Sequence, residues 1–172
     1  MNKNSNQKFN KNKLAIIAVV TVALIAAVYG INSNKQSNSA SSRAAGKIET
    51  VKDSDIVIQV KDITDKASFY PANIGGTDLE VIAVKAPDGS VRTAFNTCQV
   101  CYNSGRGYYK QEGDQLVCQN CGNRFGMDDV EVTRGGCNPV PITEEYKSVS
   151  DDTITVSKDV LTQAVQIFQN WK

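Results

Sequence analysis

Residues 91–122 read VRTAFNTCQVCYNSGRGYYKQEGDQLVCQNCG and contain two C-x-x-C motifs with 16 residues between them. This spacing is typical of a tetrathiolate metal site. Two residues between paired cysteines allow a tight turn that directs both sulfurs to one point, and Gly122 permits the close backbone approach that such a turn favours. We therefore predict one metal centre with four thiolate ligands: Cys98, Cys101, Cys118 and Cys121.

Strand and turn patterns place each motif at the end of a hairpin. Residues 78–85 and 91–95 flank the turn sequence Pro-Asp-Gly at 87–89, and residues 108–109 and 115–117 flank Gly113-Asp114. Each second strand runs into a C-x-x-C motif. The sequence thus predicts a zinc-ribbon-like or rubredoxin-like site, with two cysteine knuckles on short antiparallel hairpins.

The remaining pattern predicts an α+β fold that is mostly β. Further short strands are expected at residues 55–60, 69–70 (stopped by Pro71), 130–133 and 154–156. Ser157 is a suitable N-cap for a C-terminal helix. One face of that helix carries apolar residues, with Trp171 expected to pack in the core: Val160, Leu161, Ala164, Val165, Phe168 and Trp171.

Several ligand chemistries are compatible with four cysteines. Zinc and iron both accept tetrahedral sulfur, and four cysteines can also hold an iron–sulfur cluster. Disulfides are the alternative, but bonds within each C-x-x-C would close very short loops and constrain little of the unfolded chain. Such dithiols are typical of thiol–disulfide redox proteins, so that interpretation stays open.

Cys137 is the fifth cysteine, in the loop GGCNPVP at residues 135–141. Glycines before it and prolines after it predict a rigid exposed loop. We expect Cys137 to lie within reach of the metal as an additional ligand or a reactive thiol. A packed small side chain is the alternative.

Composition excludes several function classes. The chain has no histidine, so a Ser-His-Asp relay, a Cys-His relay and a His-ligated zinc or haem site cannot form within it. The sequence offers no catalytic residue set. From Lys47 onward 13 Lys and Arg stand against 18 Asp and Glu, a net charge of about −5 without a basic stripe, so we expect no nucleic-acid partner.

The N-terminal part predicts a membrane anchor. Residues 14–31 contain no charged side chain, and 18 residues of helix span about 27 Å, close to the ~30 Å hydrocarbon thickness. Lysines in residues 1–13 predict a cytoplasmic N-terminus. Residues 32–46 are rich in Ser, Asn and Ala and predict a flexible tether, which leaves residues 47–172 as an extracytoplasmic domain. A cleaved signal peptide is the alternative for the apolar run.

The cysteine region resembles the FtrD-like family of bacterial membrane iron–sulfur proteins. The resemblance is carried by the dense pattern over residues 80–142, with Cys-Gln-Val-Cys-Tyr at 98–102, Val-Cys-Gln-Asn-Cys-Gly at 117–122 and Gly-Gly-Cys-Asn-Pro at 135–139. All five cysteines have counterparts in the family pattern, which implies that all five are candidate ligands. The resemblance also implies iron or an iron–sulfur cluster as cofactor. A metal permease or electron-transfer components are the implied membrane partners.

Together these observations predict a single-pass membrane protein with an extracytoplasmic metal-binding domain that supports metal uptake or electron transfer. Two alternatives remain from the residues alone. One is a zinc-stapled interaction module without a redox role, and the other is a thiol–disulfide redox protein.

Overall fold

The computed structural model describes residues 48–172, and every element named below lies within them. Strands are numbered along the chain. The first sheet forms from β-branched and aromatic runs between turn residues, which favour extended backbone. In spatial order it contains β1 (Val51–Lys52), β3 (Ser68–Ile74), β4 (Thr77–Lys85), β5 (Val91–Cys98) and β9 (Pro139–Pro141). Its neighbouring strands pair antiparallel, except that β1 and β3 are parallel.

Two smaller antiparallel sheets are built from the remaining strands. The second sheet contains β10 (Ser148–Val149), β11 (Thr153–Val156) and β2 (Ile56–Gln59), and the third contains β6 (Tyr109–Glu112), β7 (Gln115–Cys118) and β8 (Arg124–Gly126). Helix α1 (Lys158–Ala164) continues into a 3-10 turn at Val165–Phe168. Other 3-10 turns lie at Val60–Asp62, Tyr102–Ser104, Met127–Asp129 and Glu144–Tyr146.

Strand β4 separates two hydrophobic cores. Leu79, Val81 and Ala83 belong to the first core, and Ile82 and Val84 belong to the second, because alternate side chains of a strand point to opposite faces. The first core also contains buried residues of the second sheet and the C-terminal helix: Ile56, Ile58, Ile154, Leu161 and Phe168. The second core contains buried residues of the third sheet together with two cysteines: Tyr109, Leu116, Phe125, Cys98 and Cys118. The third sheet, which carries the second C-x-x-C motif, therefore packs on one face of the first sheet.

The mostly β architecture with a short C-terminal helix confirms the coarse fold prediction. Both predicted hairpins form, as β4–β5 and β6–β7. The Ser157 side chain accepts a hydrogen bond from the Val160 N–H at 3.4 Å, as expected of an N-cap. Trp171 is partly buried against the first core.

Two local predictions were wrong. Strand β3 runs through Pro71 instead of ending there, because β1 pairs with β3 only at Ala72 and Asn73 and a proline on an unpaired edge needs no donor. Residues 130–133 form no strand. The reason is the left-handed backbone of Glu131, at φ 70°, which breaks an extended run.

The predicted N-terminal segments, residues 1–13, 14–31 and 32–46, lie outside the described residues, and so does Lys47. Within residues 48–172 no helix has the length and apolar character needed to cross a membrane.

Candidate metal centre

The first cysteine knuckle extends the end of β5. The Cys98 N–H donates to the Gly107 carbonyl at 2.7 Å, and the Cys101 N–H points at the Cys98 sulfur at 3.3 Å. A Cβ on Gly107 would lie 2.3 Å from the Cys101 carbonyl oxygen. The turn therefore closes tightly because residue 107 has no side chain.

The second knuckle extends the end of β7 in a similar way. The Cys118 N–H donates to the Asn123 carbonyl and the Gly122 N–H donates to the Cys118 carbonyl, both at 2.9 Å. Gly122 has φ 73°, a left-handed conformation that glycine adopts without a steric cost. A Cβ on Gly122 would meet no atom within 4 Å, so the turn needs glycine for this left-handed backbone and not for the close approach that the sequence predicted.

The loop that carries Cys137 lies between the two knuckles. Its backbone turns through Gly135 and Gly136, both left-handed. The Cys137 carbonyl accepts hydrogen bonds from the Tyr109 hydroxyl at 2.7 Å and from the Asn123 side-chain amide at 2.9 Å. These two donors hold the loop against the third sheet and the second knuckle.

Gln99, inside the first C-x-x-C motif, holds the other side of the same loop. Its backbone N–H donates to the Asn138 carbonyl at 3.0 Å. Its side-chain oxygen accepts from the Gly135 N–H at 3.1 Å, and its side-chain amide donates to the Pro139 carbonyl at 3.2 Å. Both knuckles therefore fix the position of Cys137.

The five sulfurs converge on one place, with Cys137 among them. The Cys137 sulfur lies 3.5 Å from that of Cys98, 3.4 Å from that of Cys101 and 2.9 Å from that of Cys121. One set of four sulfurs lies within 4.8 Å of one another: Cys98, Cys101, Cys118 and Cys137. Cys121 is the exposed member of the cluster, whereas Cys98 and Cys118 are buried.

This donor set fits a thiophilic metal ion. Four sulfurs around a tetrahedral ion at about 2.3 Å would lie roughly 3.8 Å apart, which agrees with the close spacing of the compact set. Zinc and iron both take such a site. Backbone N–H groups directed at the sulfurs also compensate the thiolate charge.

The environment shifts the pKa of several of these groups in different directions. Burial raises the pKa of the Cys118 thiol to about 11, although backbone N–H groups of its knuckle act against this. Contact with Cys137, followed by the backbone N–H of Asn123, lowers the pKa of the exposed Cys121 thiol to about 7. Burial and then the Cys98 sulfur raise the pKa of Tyr109 far above its usual value, so its hydroxyl stays a donor.

The sequence segments that carry the five cysteines contain basic residues and no acidic ones. Residues 97–111, 115–127 and 132–143 contain no Asp or Glu, but they carry four basic residues: Arg106, Lys110, Arg124 and Arg134. Arg106 also donates to the Gln119 carbonyl at 3.0 Å and so connects the first knuckle with the second.

The structure brings all five sequence-predicted cysteines together, and their assignment as ligands stays a prediction. The compact set of four sulfurs includes Cys137, whereas the C-x-x-C spacing predicted Cys121 as the fourth ligand. Sequence reasoning missed three supporting residues, Gln99, Tyr109 and Asn123. Gln99 lies inside a motif and Asn123 directly follows Cys121-Gly122, but no periodicity predicts their contacts with the Cys137 loop.

The fold and the site define a β-rich domain whose cysteine cluster can hold a metal. The family model described as membrane iron–sulfur containing protein FtrD-like matches residues 60–168, more than half of the chain. The chain therefore belongs to the FtrD-like family, as the resemblance predicted. Comparison with curated proteins gave no match, and comparison with solved structures gave none either.

Proposed function

We propose that this chain is a membrane-anchored protein whose extracytoplasmic domain binds iron and passes electrons in support of metal uptake. The observation that carries the proposal is the convergence of five cysteine sulfurs in a member of a family described as membrane iron–sulfur proteins. Cys98, Cys101, Cys118 and Cys137 would hold the metal, with Cys121 beside them. A sulfur-ligated iron supplies one-electron chemistry when bound.

The spacing of the sulfurs favours a single iron over a multi-iron cluster. A cluster places several irons and inorganic sulfides between the cysteine sulfurs, which would hold them further apart than the edge of one tetrahedron. Sulfurs within 4.8 Å of one another support the mononuclear alternative. Knuckle hydrogen bonds on both sides would keep the ligands in place when the charge of the centre changes.

The surroundings of the cluster support contact with a redox partner. Cys121 is exposed. Two large side chains that flank Cys101 in the first knuckle are also exposed, Val100 at 63% and Tyr102 at 39%. Arg106 and Arg134 add positive charge in the same loops. Small interfaces with complementary charge are typical of transient electron-transfer complexes, so the proposed membrane partner presents an acidic surface.

Metal analysis of protein purified without oxygen tests the proposal. We expect one iron and no acid-labile sulfide per chain, with visible charge-transfer bands that change on reduction. Cys118→Ser should lose the iron and the bands, whereas Val117→Thr, an isosteric change at the neighbouring residue of β7, should retain both.

Two other results would replace the proposal. One zinc per chain and no visible spectrum would indicate the zinc-stapled interaction module, which the compact tetrathiolate set fits equally well. Metal-free protein with a reversible dithiol couple would indicate thiol–disulfide chemistry.

A further inference from the structure

We infer that Cys121 is the exchangeable ligand of this metal centre, and that Cys98, Cys101, Cys118 and Cys137 are its resident ligands. This inference rests on the proposed metal function. It also reverses the roles that the C-x-x-C spacing gives to Cys121 and Cys137.

The anchoring of Cys137 makes it suitable as a resident ligand. Its carbonyl has two side-chain donors, from Tyr109 on β6 and from Asn123 beside the second knuckle. Gln99 holds the loop on both sides of Cys137 through Gly135 and Pro139. A backbone held from three directions keeps the Cys137 Cα and Cβ in place, so little further freedom is lost when the sulfur binds a metal.

The distances among the sulfurs favour the same set. Cys137 contacts both sulfurs of the first knuckle, at 3.5 Å and 3.4 Å, and all four proposed residents lie within 4.8 Å of one another. The spacing motif alone would have replaced Cys137 by Cys121. Cys121 does not belong to the compact set.

Cys121 lies on the solvent side of the cluster. Its residue is exposed, whereas Cys98 and Cys118 are buried and Cys101 and Cys137 are half-buried. Its sulfur lies 2.9 Å from that of Cys137 and also interacts with the sulfurs of Cys101 and Cys118. A tetrahedral ion needs four sulfurs, and the thiol that costs least to leave without a metal bond is the one that water already solvates.

Contact with the residents makes Cys121 able to replace one of them. In the exchange the Cys121 thiol loses its proton to water and bonds to the metal, while one resident sulfur leaves the metal and takes up a proton. The number of metal–sulfur bonds and the charge of the site are unchanged. A metal ion or a thiol-containing carrier that arrives from solvent would meet Cys121 first.

Alkylation of the metal-loaded wild-type chain provides the first test. Iodoacetamide followed by peptide mass spectrometry should label Cys121 and leave the other four cysteines protected. After unfolding in the presence of a chelator, all five should be labelled. Labelling of Cys137 with protection of Cys121, or protection of all five, would overturn the inference.

A matched pair of variants provides the second test. Cys121→Ser should keep one metal per chain and the wild-type spectrum, but it should exchange metal with a chelator several-fold more slowly. Cys137→Ser should bind metal at least tenfold more weakly. If Cys137→Ser does not fold, as judged by circular dichroism, the alkylation result and Cys121→Ser decide the matter.

The outcomes separate this inference from the proposed function. A wild-type chain that takes up neither iron nor zinc overturns the metal function, and the inference falls with it. A wild-type chain that binds metal, with a Cys121→Ser variant that loses it or exchanges it at the wild-type rate, overturns the inference alone.

Discussion

Tyr109 connects three parts of the site. Its backbone N–H donates to the Asn96 side-chain oxygen on β5 at 2.7 Å, and the Asn96 amide donates back to the Tyr109 carbonyl at 3.2 Å. Its hydroxyl donates to the Cys137 carbonyl, and the residue is only 1% exposed within the second core. One side chain therefore links the first sheet, the third sheet and the Cys137 loop.

Tyr109→Phe should weaken this link without removing the metal. The ring still fills the core and the Cys137 carbonyl keeps the Asn123 donor, so we expect a loss of about 1–2 kcal/mol in the free energy of unfolding. The charge-transfer bands of the iron-loaded chain should shift, because the Cys137 backbone gains freedom. Urea unfolding and optical spectra measure the two effects.

Tyr108→Phe is the control for that variant. The Tyr108 ring packs edge-on against Trp171, with ring centroids 6.4 Å apart, and its hydroxyl makes no contact with the Cys137 loop among the described hydrogen bonds. Equal spectral shifts in the two variants would contradict the role of Tyr109.

At the scale of elements, the segment before Cys137 is held by a mostly buried ion pair. Glu131 accepts from the Thr93 N–H of β5 at 2.8 Å and from the Lys147 ammonium at 2.6 Å. The side chains of Lys147 and Glu131 are only 4% and 16% exposed. The left-handed backbone at Glu131 directs its carboxylate to these partners. The contacts of this carboxylate therefore join three segments: β5, the Cys137 loop and the chain before β10.

Lys147→Met should destabilise the protein by about 3–5 kcal/mol, because it leaves the Glu131 carboxylate without its cation. Adding Glu131→Gln to that variant should recover part of the loss, since the remaining amide oxygen can still accept from Thr93. Urea unfolding of the metal-loaded wild type, the Lys147→Met variant and the double variant measures the free energy of unfolding of each. Arg124→Met, which removes an exposed pair with Glu112, should cost less than about 1 kcal/mol and serves as the control. A similarly small loss in Lys147→Met would show that the pair does not fix this segment.

The sequence predicted those strands and helices whose formation depends on residues close to one another in the chain. Alternating apolar residues around Pro-Asp-Gly and Gly-Asp turns defined both cysteine hairpins, and Ser157 marked the start of α1. The strand predicted at residues 130–133 failed because side-chain contacts of Glu131 with distant Thr93 and Lys147 override a weak local preference. The position of Cys137 among the sulfurs depends on side chains up to 38 positions away in the chain, such as Gln99. Contacts of this kind produce no periodic pattern in the sequence, so the sequence did not predict them.

At the scale of the whole molecule, the charge distribution predicts topology. The N-terminal lysines precede the apolar run, and the domain from residue 47 onward is mildly acidic. Protease added to intact cells or spheroplasts should cut between residues 32 and 46 and release the domain, because a positively charged flank is expected to stay in the cytoplasm. An immunoblot that detects the released domain in the supernatant measures the extent of cleavage. Cutting that occurs only after lysis would contradict the orientation.

The cysteine cluster joins parts of the fold that share the smaller core. Cys98 ends β5 in the first sheet, Cys118 ends β7 in the third, and Cys137 precedes β9. The second core is smaller than the first and includes Cys98 and Cys118 themselves, so part of its packing depends on the cluster. A metal bound there would act as a staple between the third sheet and the face of the first.

Chelation should therefore loosen one region more than the rest. We expect amide hydrogen exchange in β6, β7 and β8 to rise by at least tenfold, while β2, β11 and α1, which belong to the first core, change little. The same treatment should lower the melting temperature, because binding energy at a structural metal site contributes to folding. Hydrogen-exchange mass spectrometry with and without metal measures the pattern, and adding the metal back should restore protection. Uniform loss of protection over residues 48–172 would instead show that the two cores unfold together and that the metal stabilises the domain as one unit.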